Sequence, residues 1–175
     1  SVQDVPISIS TVTAEELARS HFTDIRALGQ KAPGLVLSNP SGFNAAGGGL
    51  RGTGTNIILV TQDAPVSFLV DEFSLSHVTS QFLNLFDIEQ VEVYRGPQGT
   101  LFGKNATGGV ISLTTKRPVQ VETSGEIDLT YGQYDTSGDP NYGSVKAAFN
   151  LPITDTLAFR LAAIYDQDDG YYRND

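Results

Sequence analysis

Two kinds of hydrophobic pattern divide this chain near residue 118. Before that point, apolar residues come in short runs that are separated by stretches rich in Gly, Ser, Asn and Pro. After it, apolar and polar residues alternate over three segments of about ten residues each. Short apolar runs predict a small mixed α+β domain, whereas strict alternation predicts antiparallel strands with one apolar face. We therefore divide the chain into residues 1–118 and residues 119–175.

The first part predicts two helices and several short strands. Alternation at residues 5–9 predicts a strand, and Thr13 followed by Glu16 predicts the capping box of a short helix. A second helix is expected to begin at Thr23 and to stop before the Pro-Gly pair at 33–34. The other expected features are strands at 35–37, 66–70, 88–93 and 109–115, an apolar run at 57–60, a loop at 38–49 and a helical turn at 80–86.

The second part predicts three amphipathic strands, joined by a longer acidic loop at 135–141 and a tight turn at 152–155. Their apolar positions are Ile127, Leu129 and Tyr131, then Val145, Ala147, Phe149 and Leu151, then Leu157, Phe159, Leu161, Ala163 and Tyr165. Two structures fit this pattern, a soluble sheet with one face on a core and the strands of a transmembrane β-barrel. The period alone favours the soluble sheet, because the barrel signal is weak in each segment.

Charge and composition exclude several classes of function. The net charge of −9 argues against nucleic acid as a partner, since such binding needs a basic surface. Ten acids and eight bases give residues 1–118 a charge of −2, and ten acids and three bases give residues 119–175 a charge of −7. Without cysteine there is no disulfide, thiolate zinc site or thiol chemistry. His21 and His77 are distant and no G-x-S-x-G motif accompanies them, so the sequence indicates no enzyme.

A glycine-rich stretch at residues 94–109, called here the glycine elbow, lies between two predicted strands. Its glycines are Gly96, Gly99, Gly103, Gly108 and Gly109. It is not a phosphate-binding loop, because Gln98 stands where the first glycine is needed and Asn105 stands where the hydroxyl is needed. Glycines allow tight turns and close backbone approach, so we expect a compact elbow. Arg95 stands at its start, and a guanidinium at the edge of a core needs a carboxylate partner.

Four segments, in order, resemble the plug domain of TonB-dependent outer-membrane receptors. They are "VQDVPISISTVTAEEL" at 2–17, "LRGTGTN" at 50–56, "VSFLVDEF" at 66–73 and the stretch from 88 to 118 that contains the glycine elbow. The resemblance implies an α+β plug domain over 1–118, followed over 119–175 by the first antiparallel strands of a plugged 22-stranded transmembrane β-barrel. It also implies that the chain is the N-terminal fragment of a longer receptor. Glu72 replaces the usual glycine of the third segment, so the tight turn expected there is in doubt.

The resemblance implies an energy-coupled receptor in the outer membrane that binds a scarce nutrient at the cell surface. The nutrient would be an iron chelate, a corrinoid or a glycan, and the plug would gate its passage. The implied partners are that nutrient, outer-membrane lipid and a TonB-type energy-transducing complex that binds upstream of Ser1; no metal, cofactor or enzymatic activity is implied. The alternative is a soluble plug-like binding or adhesion module with a short antiparallel sheet.

The resemblance also implies roles for individual residues. Arg51 and Arg95 match two plug arginines that, in this family, pair with glutamates on the inner barrel wall, so they are expected to latch plug to barrel. The glycine elbow would then lie against that wall. Phe43, Asn44 and His77 lie in plug loops that would face outward, and they are the expected substrate contacts.

Overall fold

The computed structural model describes residues 8–20, 24–38, 47–55, 65–75, 83–102, 106–135 and 141–170. The chain divides into two compact units, Ser1–Lys116 and Arg117–Asp175, called here the first unit and the second unit. Among the helices in the described ranges, none is long and apolar enough to cross a membrane.

The first unit is a mixed α+β structure built on two sheets. Its elements are β1 (Ser8–Thr13), α1 (Ala14–Ser20), a 3-10 helix (Ile25–Gln30), β2 (Leu35–Ser38), β3 (Gly47–Leu50), β4 (Thr53–Thr55), β5 (Val66–Val70), β6 (Phe73–Ser74), β7 (Ile88–Arg95), α2 (Gly99–Phe102) and β8 (Gly109–Thr115). The main sheet has the order β1-β7-β8-β5-β6, in which β5 and β8 are parallel and the other neighbours are antiparallel. The smaller antiparallel sheet has the order β2-β3-β4.

The middle of the main sheet is buried on both faces. Phe68 of β5 and Ile111 of β8 belong to the main core cluster, whereas the neighbouring Leu69 and Val110 belong to a second cluster. Side chains of adjacent strand residues point to opposite faces, so consecutive buried residues mean that both faces are covered. Tyr94 and Phe102 pack against the second cluster, which places the glycine elbow over that face of the sheet.

The predicted helix signals of the first unit are partly confirmed. The capping box is present, because the Thr13 backbone N–H donates to the Glu16 carboxylate at 3.1 Å and the Glu16 N–H donates to the Thr13 hydroxyl at 3.4 Å. The second predicted helix is a 3-10 helix and begins at Ile25, not at Thr23. Asp24 is its N-cap, since the Asp24 side chain accepts the backbone N–H of Arg26 at 2.8 Å.

Two predictions about connections in the first unit are wrong. The loop predicted at 38–49 contains most of β3, because the glycines at 47–49 pair with β2 and need no side chains to form the ladder. The helical turn predicted at 80–86 is not found in its described part, where Asn84 forms an isolated bridge with Asp24. The apolar run at 57–60 lies outside the described residues.

The tight turn that Glu72 put in doubt is formed. Asp71 and Glu72 take positive φ angles of 48° and 72°, and Val70 pairs with Phe73 across the turn. The Asp71 carboxylate accepts the backbone N–H of Thr115 at 2.9 Å and its hydroxyl at 2.7 Å. These bonds to the end of β8 hold the turn in a conformation that glycine would adopt more readily.

The second unit is a three-stranded antiparallel sheet. Its strands are β9 (Ser124–Gln133), β10 (Asn141–Thr154) and β11 (Leu157–Asp168), with β10 in the middle. All three predicted strands are confirmed. The tight turn lies later than predicted, at 155–156, because β10 continues through an irregularity between Pro152 and Thr154.

Candidate functional site

One face of the second unit is apolar and exposed. The strand register places Val145 beside Leu129 on one side and beside Tyr165 on the other. Leu129 is 73% exposed, Tyr165 65% and Val145 45%, and no residue on this face is charged. The other exposed apolar residues of the face are Ile127, Tyr131, Phe149, Leu151, Ile153, Leu157, Phe159 and Leu161. An apolar patch of this extent is unusual on a soluble protein and indicates a surface that meets lipid or another apolar partner.

The opposite face of the same sheet is mostly polar, with Ile164 as an exposed apolar residue opposite Lys146. Lys146 lies opposite Asp128 in the register, and the Ser144 hydroxyl donates to the Asp166 carboxylate. On the middle strand the buried residues are Ser144, Lys146, Ala148 and Asn150, three of which are polar. A soluble sheet buries its apolar side, so this sheet has the reverse arrangement. Strands of a transmembrane barrel have this arrangement, because their outer face meets lipid and their inner face is polar.

In the first unit, the glycine elbow is a closed loop between β7 and β8. Arg95 pairs with Gly109 at its base, and the Gly96 N–H donates to the Gly108 carbonyl at 3.0 Å. Within the loop, the N–H of the buried Gln98 donates to the Ala106 carbonyl at 2.7 Å. The elbow is therefore a compact hydrogen-bonded structure, with α2 enclosed in it.

The elbow glycines differ in why glycine is needed. At Gly109 an added Cβ would lie 2.4 Å from both Leu50 Cδ2 and the Tyr94 carbonyl oxygen, so no side chain fits. Gly96 has a φ of 97°. Among the described residues, no heavy atom lies within 4 Å of a Cβ added at Gly99, so no contact within this chain requires glycine there, and the expected packing against a barrel wall stays a prediction. Gly108 is buried, and Gly103 lies outside the described residues.

Arg95 holds the first strand of the unit. Its Nη1 donates to the Ser8 hydroxyl at 3.1 Å, and its Nη2 donates to the Ser10 hydroxyl. Its Nε is buried and has no hydrogen-bond partner among the described residues. A buried guanidinium nitrogen without an acceptor is costly, so Arg95 is a cation whose hydrogen-bonding capacity is incompletely used.

Arg51 lies in the two-residue turn between β3 and β4. Arg51 and Gly52 have φ angles of 55° and 79°, and the Arg51 N–H donates to the Gly34 carbonyl at 2.9 Å. The Arg51 side chain is exposed, and its Nη1 lies 4.0 Å from where a Cβ would stand on Gly96. The structure thus brings the Arg51 guanidinium to the residue that follows Arg95.

The two arginines form a cationic site without a described counter-charge. Within the ranges that the structure describes, neither guanidinium forms an ion pair with a carboxylate, and the partners of Arg95 are neutral hydroxyls. Two like charges repel, so this arrangement is suited to receive carboxylates or another anion. The nearby Tyr94 is no candidate base, because burial and its hydrogen bond to Glu92 raise the pKa of the phenol to about 12.

Some predicted site residues lie outside the part of the chain that the structure describes, and some residues at the observed site were not predicted. Phe43, Asn44 and His77 lie outside the described residues. Ser8, Ser10 and Gly34 were not predicted to lie at the site, although Ser8 and Ser10 alternate with apolar residues in the predicted first strand. In the described part of the chain, no group of His, Asp and Glu side chains could hold a metal ion.

Comparison with known proteins adds independent information. Residues 1–110 match the family model of the TonB-dependent receptor plug domain. The pesticin receptor of Yersinia enterocolitica is 34% identical over 171 residues, which cover 94% of this chain and 23% of that protein. The iron-regulated outer membrane virulence protein of Vibrio cholerae is 27% identical over 172 residues, which cover 96% and 26% of the two chains.

A structural neighbour covers both units of the chain. The crystal structure of the siderophore receptor PirA from Acinetobacter baumannii aligns with a TM-score of 0.70 at 22% identity, over 93% of this chain and 25% of that chain. At this identity the likeness shows the fold alone. The chain spans about a quarter of the length of the curated relatives it matches.

Proposed function

The chain belongs to the TonB-dependent receptor family through its plug domain, and from this premise we propose that it is the N-terminal part of an energy-coupled outer-membrane receptor. In this proposal residues 1–118 are the plug, and residues 119–175 are the first strands of the barrel that surrounds it. The receptor binds a scarce nutrient at the cell surface, and the plug gates its passage. We assign the chain no enzymatic activity.

The observation that carries this proposal is the inverted sheet of the second unit. Its uncharged face is exposed, while Ser144, Lys146 and Asn150 on the other face are buried. Contact of an apolar face with lipid costs little free energy, whereas its exposure to water is unfavourable. The soluble adhesion module, our alternative, would require another protein surface over the whole apolar face.

An iron chelate is the nutrient class that the comparisons support best. The Vibrio cholerae relative is named as iron-regulated and the Acinetobacter baumannii neighbour as a siderophore receptor. A corrinoid or a glycan is the alternative. Phe43, Asn44 and His77 remain the proposed substrate contacts, and a TonB-type complex that binds upstream of Ser1 remains the proposed energy source.

The convergence of Arg51 and Arg95 supports a latch between plug and barrel. Arg95 has a buried Nε without an acceptor, and Arg51 brings a second positive charge to the adjacent Gly96. Carboxylates on the inner barrel wall would give the Arg95 Nε a hydrogen-bond acceptor and would give both guanidinium groups a counter-charge. Such pairs are strongly coupled in a water-poor lumen, so removal of one partner leaves a costly unpaired charge.

Uptake by the intact receptor tests the proposed function. We expect deletion of its gene to abolish growth on a ferric siderophore as the sole iron source, and the intact gene to restore growth. Disabling the energy-transducing complex should abolish uptake but leave binding at the cell surface. The same uptake assay with a corrinoid or an oligosaccharide in place of the ferric siderophore tests the other two nutrient classes. A gene product that stays in the aqueous fraction without detergent would contradict the proposal and favour the soluble module.

A further inference from the structure

The first strand of the first unit is attached by few apolar contacts. β1 is an edge strand of the main sheet and pairs with β7 alone. Among its six residues, Val12 is the one that is buried. The register places Ser8 beside Arg95, and Ser10 follows on the same face, because alternate residues of a strand share a face. With one buried side chain, β1 depends strongly on its backbone pairing and on its contacts with Arg95.

Arg95 contacts β1 through both terminal nitrogens of its guanidinium. Nη1 donates to the Ser8 hydroxyl at 3.1 Å, and Nη2 donates to the Ser10 hydroxyl. A guanidinium is planar, so contacts at both terminal nitrogens restrict the direction of its third nitrogen, Nε. This Nε is buried and has no acceptor among the described residues. β1 thus holds Arg95 in one orientation and leaves Nε for another acceptor.

The orientation of Arg95 affects how strongly it can bind a counter-charge. A long side chain loses rotamer entropy when it is ordered, and a side chain that is already ordered loses less when the next partner binds. The serines of β1 therefore favour binding of a carboxylate at Nε. Such coupling is reciprocal, so a carboxylate that stabilises this orientation of Arg95 also stabilises β1 on β7. Detachment of β1 removes both serine acceptors and leaves the guanidinium free to rotate.

We propose that Ser8 and Ser10 are positioning residues that couple the attachment of β1 to the orientation of Arg95 in the cationic site. The coupling lies within the first unit, between two paired strands. Its role in the receptor rests on the proposed function, in which Arg95 belongs to the latch between plug and barrel. The latch then binds its counter-charge at full strength only while β1 is paired with β7.

A double-mutant cycle in the intact receptor in detergent tests the coupling. Ser8→Ala with Ser10→Ala removes both acceptors, and Arg95→Lys keeps the charge but removes the fork that binds two serines. We expect either change to accelerate hydrogen exchange in residues 8–13 roughly tenfold, and all three substitutions together to do no more than either. Thr11→Ala is the control, because its hydroxyl lies on the opposite face of β1. Accelerations that multiply, or no acceleration, would overturn the coupling.

Chemical labelling of Arg95 tests the coupling in the other direction. Arg95 is half-buried, so phenylglyoxal, a dicarbonyl reagent specific for arginine, should reach it chiefly when β1 detaches. We expect labelling of Arg95 in the Ser8→Ala, Ser10→Ala variant to accelerate by the same factor as exchange in residues 8–13. Labelling of the exposed Arg26 should not change, and Ser10→Thr, which keeps the hydroxyl, should behave like the wild type. Faster exchange without faster labelling would overturn the positioning role.

These measurements use neither a nutrient nor an energy source, so they can fail separately from the proposed function. Loss of the coupling in a receptor that takes up its nutrient would overturn this inference alone. A coupling that is present in a protein without uptake or surface binding would support the positioning role and contradict the proposed receptor.

Discussion

The two arginines differ in what each would lose on substitution. Arg95 has a buried Nε and binds Ser8 and Ser10, whereas Arg51 is exposed. We expect Arg95→Ala to destabilise the plug within the intact receptor by roughly 3–5 kcal/mol, and Arg51→Ala by less. Differential scanning calorimetry of the purified receptor measures both effects.

The control for this prediction is Arg26→Ala. Arg26 pairs with Asp24 at 2.6 Å on the surface of the first unit, and such a pair contributes about 0–1 kcal/mol. If a receptor with both Arg51→Ala and Arg95→Ala keeps its plug stability and its uptake, the latch is contradicted.

Gly109 is the glycine whose replacement should be most harmful. A methyl group there would lie 2.4 Å from the Tyr94 carbonyl oxygen, which belongs to the paired backbone of β7 and cannot move away alone. We expect Gly109→Ala to cost roughly 1–3 kcal/mol or more. Gly99→Ala is the matched control, because its Cβ meets open space and should change stability by no more than about 0.5 kcal/mol. Urea unfolding of residues 1–118 compares them, and equal losses would contradict the packing argument.

Glu72 offers a stabilising change. Its φ of 72° is costly for any residue with a Cβ, so we expect Glu72→Gly to stabilise the first unit by about 0.5–1 kcal/mol. Asp71→Gly should instead destabilise it, although its φ of 48° is also relieved, because the two bonds to Thr115 are lost. The same urea measurement reports both; a destabilised Glu72→Gly variant would refute the strain.

The sequence predicted the two arginines of the site, because they lie in recognisable motifs, but it did not predict their partners. Arg51 and Arg95 were identified from their segments, but their approach depends on a hairpin turn at Arg51 that folds back toward Gly96. Ser8 and Ser10 reach Arg95 through a pairing of β1 with β7 across more than eighty residues. No local pattern encodes such a pairing, so these partners could not be predicted.

At the scale of the elements, the two faces of β9 should respond oppositely to charge. Leu129 lies on the exposed apolar face, and the next residue, Thr130, lies on the polar face. We expect Leu129→Lys to destabilise the receptor in lipid vesicles by roughly 2–4 kcal/mol, as for a lysine at the bilayer midplane, and Thr130→Lys to be tolerated. Urea unfolding from vesicles measures the difference; the reverse order would show that the apolar face does not meet lipid.

Strands were predicted well where the hydrophobic pattern of a segment and its length both indicated a strand. β5 and β8 match the predicted ranges, and β9 to β11 follow the alternation of the second part. The glycine strand β3 was missed, because a strand without side chains has no hydrophobic period. The second helix was predicted in place but not in type, because the apolar spacing does not encode its i→i−3 bonds, which run from the Ala27 N–H to the Asp24 carbonyl and from the Lys31 N–H to the Leu28 carbonyl.

At the scale of the whole molecule, the two units are stabilised in different ways. In the described residues, the first unit has a main core of fifteen buried apolar residues and a second cluster of three, whereas Ala148 is the one buried apolar residue of the second unit. The second unit therefore depends on backbone pairing and on whatever covers its apolar face. The apolar face carries no charged residue, so the charge of −7 on residues 119–175 lies outside that face.

This difference predicts opposite behaviour when the units are produced separately. Residues 1–118 should remain in the supernatant after ultracentrifugation without detergent, because most large apolar side chains in their described part are buried in their own core. Residues 119–175 should sediment unless detergent covers the apolar face, and replacing Leu129, Phe149 and Leu161 with threonine should shift them toward the supernatant. If unaltered residues 119–175 stay soluble and monomeric without detergent, their apolar face must be buried within the fragment itself. The soluble module would then explain this chain better than the receptor does.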